Sequence, residues 1–164
     1  MIGNDVVDII QSRKEGNWQR EGFIQKIFTH KEKLLITQAT EPEIMVWLLW
    51  SMKEAAYKIY NRQTKIREYI PKKLQCTLLS QNHDYTLGQV LCLENIYYTK
   101  TILNKDEIYT IAVSNLHDFD QVVEIEKKDI TKDKHGIPYL KSDIFQDVSV
   151  SNHGRFEKVV TLNY

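Results

Sequence analysis

Cysteine is scarce in this chain, and neither sign of charge predominates. The two cysteines, Cys76 and Cys92, show no metal-ligand spacing. So few thiols in a chain of this length indicate a reducing compartment and two small core or half-buried side chains. Lysine plus arginine and aspartate plus glutamate are balanced at 22 each, so the whole chain has no field that attracts nucleic acid or a membrane. A charged partner must therefore be bound by a local patch.

Long apolar runs and targeting signals are also missing. No apolar run approaches the ~20 residues that a membrane helix requires. The first five residues include an acid where a signal peptide needs a base. We therefore expect a cytoplasmic protein without a membrane partner. A chain of 164 residues is long enough to bury its own core, and we expect one domain over residues 1–164.

Several catalytic and binding motifs are absent. The histidines have no His-x-x-x-His pair, which excludes a zinc site of that kind. There is no Gly-x-x-x-x-Gly-Lys loop to bind a nucleoside triphosphate, and no internal repeat. The function must be sought in other residues.

Hydrophobic periodicity predicts an α+β fold. Residues 2–10 are β-branched and predict a strand, and residues 12–39 are helical with a break near Thr29. A longer helix follows, with Pro42 in its first turn. Alternation then predicts strands near 74–80, 86–94, 96–103, 107–115 and 121–127, and a terminal hairpin of 148–151 and 156–162. We expect the first strand and the helices to pack on a mostly antiparallel sheet.

The long helix has an unusual polar face over residues 47–62. Glu54 and Lys58 are four residues apart, the favourable order for an ion pair within a helix, and Lys53 lies next to Glu54. An amphipathic core helix with a solvated, ion-paired face is the simplest interpretation. A binding site on this face is the alternative.

Asp5 supports the alternative, because a carboxylate in a short apolar strand costs free energy unless it is solvated, paired or bound to a metal. It is also a candidate cap of the next element. If the long helix packs on the first strand, Asp5 and Glu54 form a hard-oxygen site that suits magnesium, with Lys53 and Lys58 beside it. Such a set suits a polyphosphate substrate.

The densest positive segment follows the long helix. It contains Arg62, Lys65, Arg67, Lys72 and Lys73, with Tyr60 and Tyr69 interleaved. A solvated loop is the simplest interpretation of residues 60–73. One functional alternative is the docking of an acidic carrier protein or of coenzyme phosphates. Another is a non-enzymatic RNA-binding module in which the tyrosines stack on bases, although the neutral net charge speaks against it.

Five motifs, in this order, resemble the 4'-phosphopantetheinyl transferase superfamily, and in particular its short holo-acyl-carrier-protein synthase type. They are Gly3-x-Asp5-x-Val7-x-Ile9, Phe23-x-x-Lys-Ile-Phe-Thr-x-x-Glu32, Trp50-x-x-Lys53-Glu54-Ala55-x-x-Lys58, Gly136-x-Pro138-x-Leu140 and the segment 149–156. The motifs lie in about the first 60 and the last 30 residues, and leave a β-rich insertion at about 75–130 without a match.

The resemblance implies an enzyme that transfers the 4'-phosphopantetheine group from coenzyme A to a serine of an acyl or peptidyl carrier protein, and releases adenosine 3',5'-bisphosphate. It implies that Asp5 and Glu54 bind magnesium and that Lys53 and Lys58 contact phosphates. Glu54, or a water that it holds, would accept the serine proton, so that Glu54 and Lys58 are the expected catalytic residues. The resemblance implies a carrier of fatty acid, polyketide or peptide synthesis and leaves open which of the three.

This chain departs from the family pattern at two positions. Val7 stands where the long family type has a third acidic ligand, and Asp8 should face the other side of the strand. Asn152 stands where the hairpin motif has a histidine, so that Ser151, His153 and Arg155 are the candidates for binding the 3'-phosphate of coenzyme A.

The resemblance also places coenzyme A in a cleft between modules. For a chain with one module, this predicts a cleft between subunits of a homotrimer. The extra strands at 75–130 offer a second solution, a cleft that is completed within one chain.

Overall fold

A computed structural model describes residues 1–141 and 146–163. Its helices are α1 (Ile9–Glu15), α2 (Phe23–Ile27), α3 (His30–Gln38) and α4 (Pro42–Thr64), with single 3-10 turns at Pro71–Lys73 and Leu116–Gln121. Its strands are β1 (Ile2–Asp8), β2 (Leu74–Gln81), β3 (Thr86–Cys92), β4 (Asn95–Leu103), β5 (Glu107–Val113), β6 (Val122–Glu124), β7 (Ile130–Lys132), β8 (Pro138–Leu140), β9 (Gln146–His153) and β10 (Phe156–Leu162). Within these described ranges, no helix is long and apolar enough to cross a membrane.

The strands form two antiparallel sheets. The first has the order β1-β5-β4-β3-β2, and the second has the order β6-β10-β9-β8-β7. Short turns join β2 to β3, β3 to β4 and β4 to β5; at the β2–β3 turn, for example, the Asn82 side chain accepts hydrogen bonds from the backbone N–H groups of Asp84 and Tyr85. The predicted α+β class, with an N-terminal strand and helices on a mostly antiparallel sheet, is confirmed.

The N-terminal boundaries differ from the prediction. The first strand ends at Asp8 instead of residue 10, because the Asp8 carboxylate accepts hydrogen bonds from the N–H groups of Ile10 and Gln11 and so caps α1. The expected helical region 12–39 is divided into α1, α2 and α3. The capping box of Thr29 and Glu32 begins α3 as predicted. The strand expected at 121–127 is shorter and covers only Val122–Glu124.

Helix α4 lies directly on β1. Its apolar stripe, which includes Leu48, Met52 and Ile59, is buried against the first sheet. Gly3 permits the close approach, since a Cβ atom at this position would overlap the backbone carbonyl of Ala55. The strand and the helix that carry Asp5 and Glu54 are therefore adjacent.

The opposite face of β1 packs on the second sheet. Ile2 and Val6 share an apolar cluster with Val160 and Leu162 of β10. The Asn4 backbone N–H donates to the Ser149 hydroxyl at 2.9 Å, and that hydroxyl donates to the Asn4 side chain at 2.8 Å. Strand β1 is therefore enclosed between α4 and the terminal hairpin, which brings the hairpin close to Asp5.

Candidate functional site

Asp5, Glu54 and Lys58 form a charged cluster where β1 meets α4. The Lys58 Nζ lies 3.9 Å from Asp5 Oδ1, and it donates to the backbone oxygens of Asn4 at 2.6 Å and Val150 at 3.1 Å. Asp5 and Glu54 line the same cleft and repel each other electrostatically. The structure thus brings together three of the site residues predicted from the sequence. Asp5 does not cap α1.

Burial dominates the electrostatics of this cluster. It raises the pKa of Asp5 to about 7, with Lys58 acting in the opposite direction and Glu54 adding to the increase. Burial also raises the pKa of Glu54, against the opposing effects of Tyr69 and Lys58, and it lowers the pKa of Lys58. Two desolvated carboxylates thus share one ammonium group, so that a cation bound between them would be stabilised.

The donor set at this position is small. Val7, two residues after Asp5, contributes only an apolar side chain that packs with Trp47 and Trp50. No group of three or more histidine, cysteine, aspartate or glutamate side chains in residues 1–141 and 146–163 is arranged to hold a metal. Two carboxylates without a third protein ligand fit magnesium, which typically takes one or two carboxylates and keeps several waters.

An aromatic cleft opens beside the carboxylates. It has a volume of about 390 Å³ and is lined by Asp5, Glu54, Trp18, Phe23, Trp47, Trp50, Asn152 and His153, among others. Phe23 stacks on Trp50 with ring centroids 6.3 Å apart, and Trp47 meets both rings edge to face. Helix α4 therefore presents one carboxylate and two indoles to the same cavity.

A basic cleft lies on the other side of Lys58. It has a volume of about 830 Å³, and its lining includes Tyr57, Lys58, Arg62, Lys127, Lys132, the segment 136–138 and residues 148–150 of β9. Asn152 lines both clefts. The Gly136-x-Pro138 motif thus lies at the basic cleft, which Lys58 also lines.

Lys53 lines neither cleft, so the structure places it away from the phosphates that the resemblance assigned to it. Its side chain is fully buried and forms an ion pair with Glu32 at 2.8 Å. It also donates to the backbone oxygens of Pro71 and Leu74. Because Lys53 and Glu54 are consecutive on α4, their side chains leave the helix in different directions, and only Glu54 points toward the aromatic cleft.

Of the hairpin residues that are candidates for binding the 3'-phosphate, His153 already contacts other residues of the protein and Ser151 is buried. The His153 Nδ1 accepts from the Asp8 N–H at 2.9 Å, and its Nε2 lies 2.9 Å from Glu15. The Ser151 hydroxyl is buried without a partner among the described residues. Exposed Asn152, which the sequence prediction did not choose, is better placed because it borders both clefts. The sequence did contain a signal for Asn152, because it stands at the position where the family motif has a histidine.

Arg155 faces Asp8 rather than the clefts, although it was a candidate for binding the 3'-phosphate. Its backbone N–H and its guanidinium donate to the Asp8 carboxylate over 2.8–3.0 Å, and the guanidinium also lies 3.6 Å from Asp106. The Arg155 hydrogen bonds, opposed by burial, hold the pKa of Asp8 well below its usual range. Gly154 fits closely against the same carboxylate, because a Cβ atom there would lie 2.5 Å from Asp8 Oδ2.

The basic segment 60–73 does not form a platform for bases. Tyr60 is buried, and Tyr69 packs edge to face on Trp50 and Tyr57. Arg62 is buried as well and donates to Asp147 at 3.0 Å and to the backbone oxygen of Val148 at 2.7 Å. These contacts join α4 to β9, and they remove the stacking residues on which the RNA-binding alternative depends.

Comparison with known proteins agrees with this geometry. Residues 1–114 match the family model described as the 4'-phosphopantetheinyl transferase superfamily, so more than half of the chain is covered. The match includes β1, α4 and β2–β5, and it ends before the terminal hairpin. No curated protein matches the chain.

Proposed function

The chain belongs to the 4'-phosphopantetheinyl transferase superfamily, and we propose that it is a magnesium-dependent enzyme of the holo-acyl-carrier-protein synthase type. The reaction moves phosphopantetheine from coenzyme A to a serine hydroxyl of an acyl or peptidyl carrier protein. Adenosine 3',5'-bisphosphate is the leaving group. The observation that carries this proposal is the half-buried Asp5–Glu54 pair beside Lys58, at the junction of two clefts.

The residues at this junction fit a magnesium ion. Asp5 and Glu54 would hold it, because they are two desolvated carboxylates that share only one ammonium group. When bound, magnesium supplies positive charge to the pyrophosphate oxygens of the substrate. Asp5, whose pKa burial raises to about 7, would then be ionised at neutral pH because the cation favours the carboxylate.

Lys58 is oriented to bind a phosphate oxygen. An ammonium group has three N–H donors, and the carbonyl oxygens of Asn4 and Val150 accept two of them. These bonds fix the side chain between the clefts and leave one donor for substrate. Charge that develops on the leaving phosphate would be stabilised by this fixed donor.

Glu54 is the proposed acceptor of the serine proton. Burial raises the pKa of its carboxyl group, which brings its basicity closer to neutral pH. It also lines the aromatic cleft, where a serine side chain can approach. The nucleophile itself belongs to the carrier protein, so that no serine of this chain is needed.

The two clefts suggest how coenzyme A binds. The lysines of the basic cleft suit the phosphates of the nucleotide half, whereas the indoles of the aromatic cleft suit the less polar pantetheine arm and the incoming serine. Asn152 lies between them, where its amide N–H groups can donate to a phosphate oxygen.

The active site is complete within a single chain in this proposal. The terminal hairpin, which follows the β-rich region 75–130, packs on β1 and contributes Asn152 to both clefts. This arrangement favours a cleft that is completed within one chain over a cleft that is shared between subunits of a trimer. Residues 1–164 would then function as one domain.

A transfer assay tests the proposal. Purified protein, coenzyme A, magnesium and an apo carrier protein should increase the carrier mass by one phosphopantetheine group, and chelation of magnesium should prevent the increase. Glu54→Gln should abolish transfer, whereas Glu68→Gln, which changes an exposed carboxylate, should retain it. Absence of a mass change with fatty acid, polyketide and peptide carriers, while the protein remains folded, would contradict the proposal.

A further inference from the structure

We propose that the buried ion pair of Glu32 and Lys53 is a positioning device, which holds the segment 69–74 so that Tyr69 packs beside Glu54. The role assigned to Lys53 is therefore an indirect one, without contact to coenzyme A. The kinetic part of this inference rests on the proposed function, whereas its structural part does not.

Lys53 is the centre of this device. Its Nζ lies 2.8 Å and 2.9 Å from the two Glu32 oxygens and 2.8 Å from the Pro71 backbone oxygen, and it also donates to the Leu74 backbone oxygen. The Phe28 ring lies 5.7 Å away. An ammonium group has only three donors, so these acceptors use all of them. None remains for a substrate phosphate.

Glu32 is equally well satisfied. One carboxylate oxygen accepts from the Thr29 N–H at 2.7 Å, and the other accepts from the Cys76 N–H at 2.7 Å. The pair thus joins α3, α4, the 3-10 turn at 71–73 and the start of β2. Both side chains are fully buried, and removal of one partner would leave the other charge uncompensated.

The bonded segment carries Tyr69. This residue lies two positions before Pro71, whose carbonyl Lys53 holds, and its ring contacts Tyr57 at 5.0 Å and Trp50 at 6.1 Å between centroids. The Tyr69 hydroxyl is buried next to the Glu54 carboxylate and has no other partner among the described residues. Lys53 of α4 thus holds the segment 69–74, and through Tyr69 this segment positions the carboxylate of Glu54, the next residue of the same helix.

Hydrogen exchange tests the structural part without any substrate. In Glu32→Gln and Lys53→Met, we expect the amides of 69–76 to exchange about tenfold faster or more, because a buried charged hydrogen bond has been lost. The amides in the middle of α4 should change much less in the same folded samples. Lys31→Gln, which neutralises an exposed residue of α3, is the matched control and should behave as the wild type. Unchanged exchange at 69–76 in a folded variant would overturn the proposal.

Steady-state kinetics test the role in transfer. Both variants should lower kcat about tenfold while the KM for coenzyme A changes less than about twofold, since no substrate contact is lost. Tyr69→Phe should lower kcat as well, and its combination with Lys53→Met should cost no more than the larger single effect. An increase of about tenfold in KM for Lys53→Met but not for Glu32→Gln would instead identify Lys53 as a phosphate ligand and overturn the proposal.

The two proposals fail in different ways. If the wild-type protein modifies no carrier but the amides of 69–76 become faster in both variants, the proposed function is wrong and the positioning device stands. If the wild type is active and the two kcat effects are additive in the Tyr69→Phe combination, the function stands and the device is wrong.

Discussion

Asp5 and Asp8 belong to the same strand but point to opposite sides of it, and the pKa values of their carboxyl groups are shifted in opposite directions. Asp8 accepts hydrogen bonds from Ile10, Gln11 and Arg155, and its pKa is held well below the usual range mainly by the Arg155 side chain. Asp5 lies 3.9 Å from Lys58, and burial raises its pKa to about 7 although Lys58 and Ser51 act in the opposite direction. The first carboxylate is structural, whereas the second has capacity for a ligand.

Asp8 should make the protein sensitive to acid. Its folded-state pKa is lowered, so its contribution to the free energy of unfolding is present above the ordinary pKa of about 4 and is lost as the pH falls further. Asp8→Asn should reduce the stability at pH 7 by roughly 2 kcal/mol, since it weakens the charged hydrogen bonds that Asp8 accepts from Arg155.

Urea unfolding between pH 3 and pH 7 measures this effect. The difference between wild type and Asp8→Asn should shrink toward pH 3, and Asp120→Asn, which changes a carboxylate of the 116–121 turn, is a suitable control. A difference that is constant over this range would contradict the assignment of the lowered pKa to Asp8.

Gly3 should tolerate no side chain. In Gly3→Ala, the new methyl group would overlap the Ala55 carbonyl, and β1 must move away from α4. We expect a loss of about 3 kcal/mol in unfolding free energy, together with reduced transfer activity because Asp5 moves relative to Glu54. Gly16→Ala is the matched control, since nothing lies within 4 Å of its added methyl group. Equal stability of the two variants in thermal unfolding would show that β1 and α4 are not in close contact.

Coenzyme A and magnesium together should stabilise the folded protein. At a ligand concentration about 100 times the Kd, the increase is about 2.7 kcal/mol, because only the native state binds. A thermal shift assay measures it as a rise in Tm. Lys58→Met should reduce the shift produced by the coenzyme, and Asp5→Asn should remove the additional shift that magnesium causes. Retention of the full magnesium effect in Asp5→Asn would exclude Asp5 as a ligand.

A single copy of the chain should be catalytically competent. The terminal hairpin contributes Asn152 to both clefts beside β1 and α4 of the same chain, so the specific activity should stay constant when the enzyme is diluted from micromolar to low nanomolar concentration. Light scattering coupled to size exclusion measures the mass over the same range. A specific activity that falls on dilution in parallel with dissociation of a trimer would show that the site needs residues from a neighbouring subunit.

Local sequence signals were sufficient where a short segment determines its own structure. The Thr29–Glu32 capping box, the first turn at Pro42 and the alternating strands from Leu74 depend on neighbours within a few residues. The resemblance of Asp5, Glu54 and Lys58 to the family motif also led to the cluster that the structure forms. Residue type and spacing in the sequence were therefore enough to select these three candidate site residues.

Only the tertiary structure decided the roles of Lys53, Asn152 and Arg155. Helical spacing shows that Lys53 and Glu54 point in different directions, but not which of them faces a cleft, because Glu32, Pro71 and Leu74 supply the oxygens that draw Lys53 into the core. Likewise, the hairpin meets β1 across more than 140 positions of sequence, and Asp8 binds Arg155 only when it does. The sequence by itself determined which groups are available for the chemistry and the local elements that carry them. Packing of distant elements determined which of these groups remain free for a substrate.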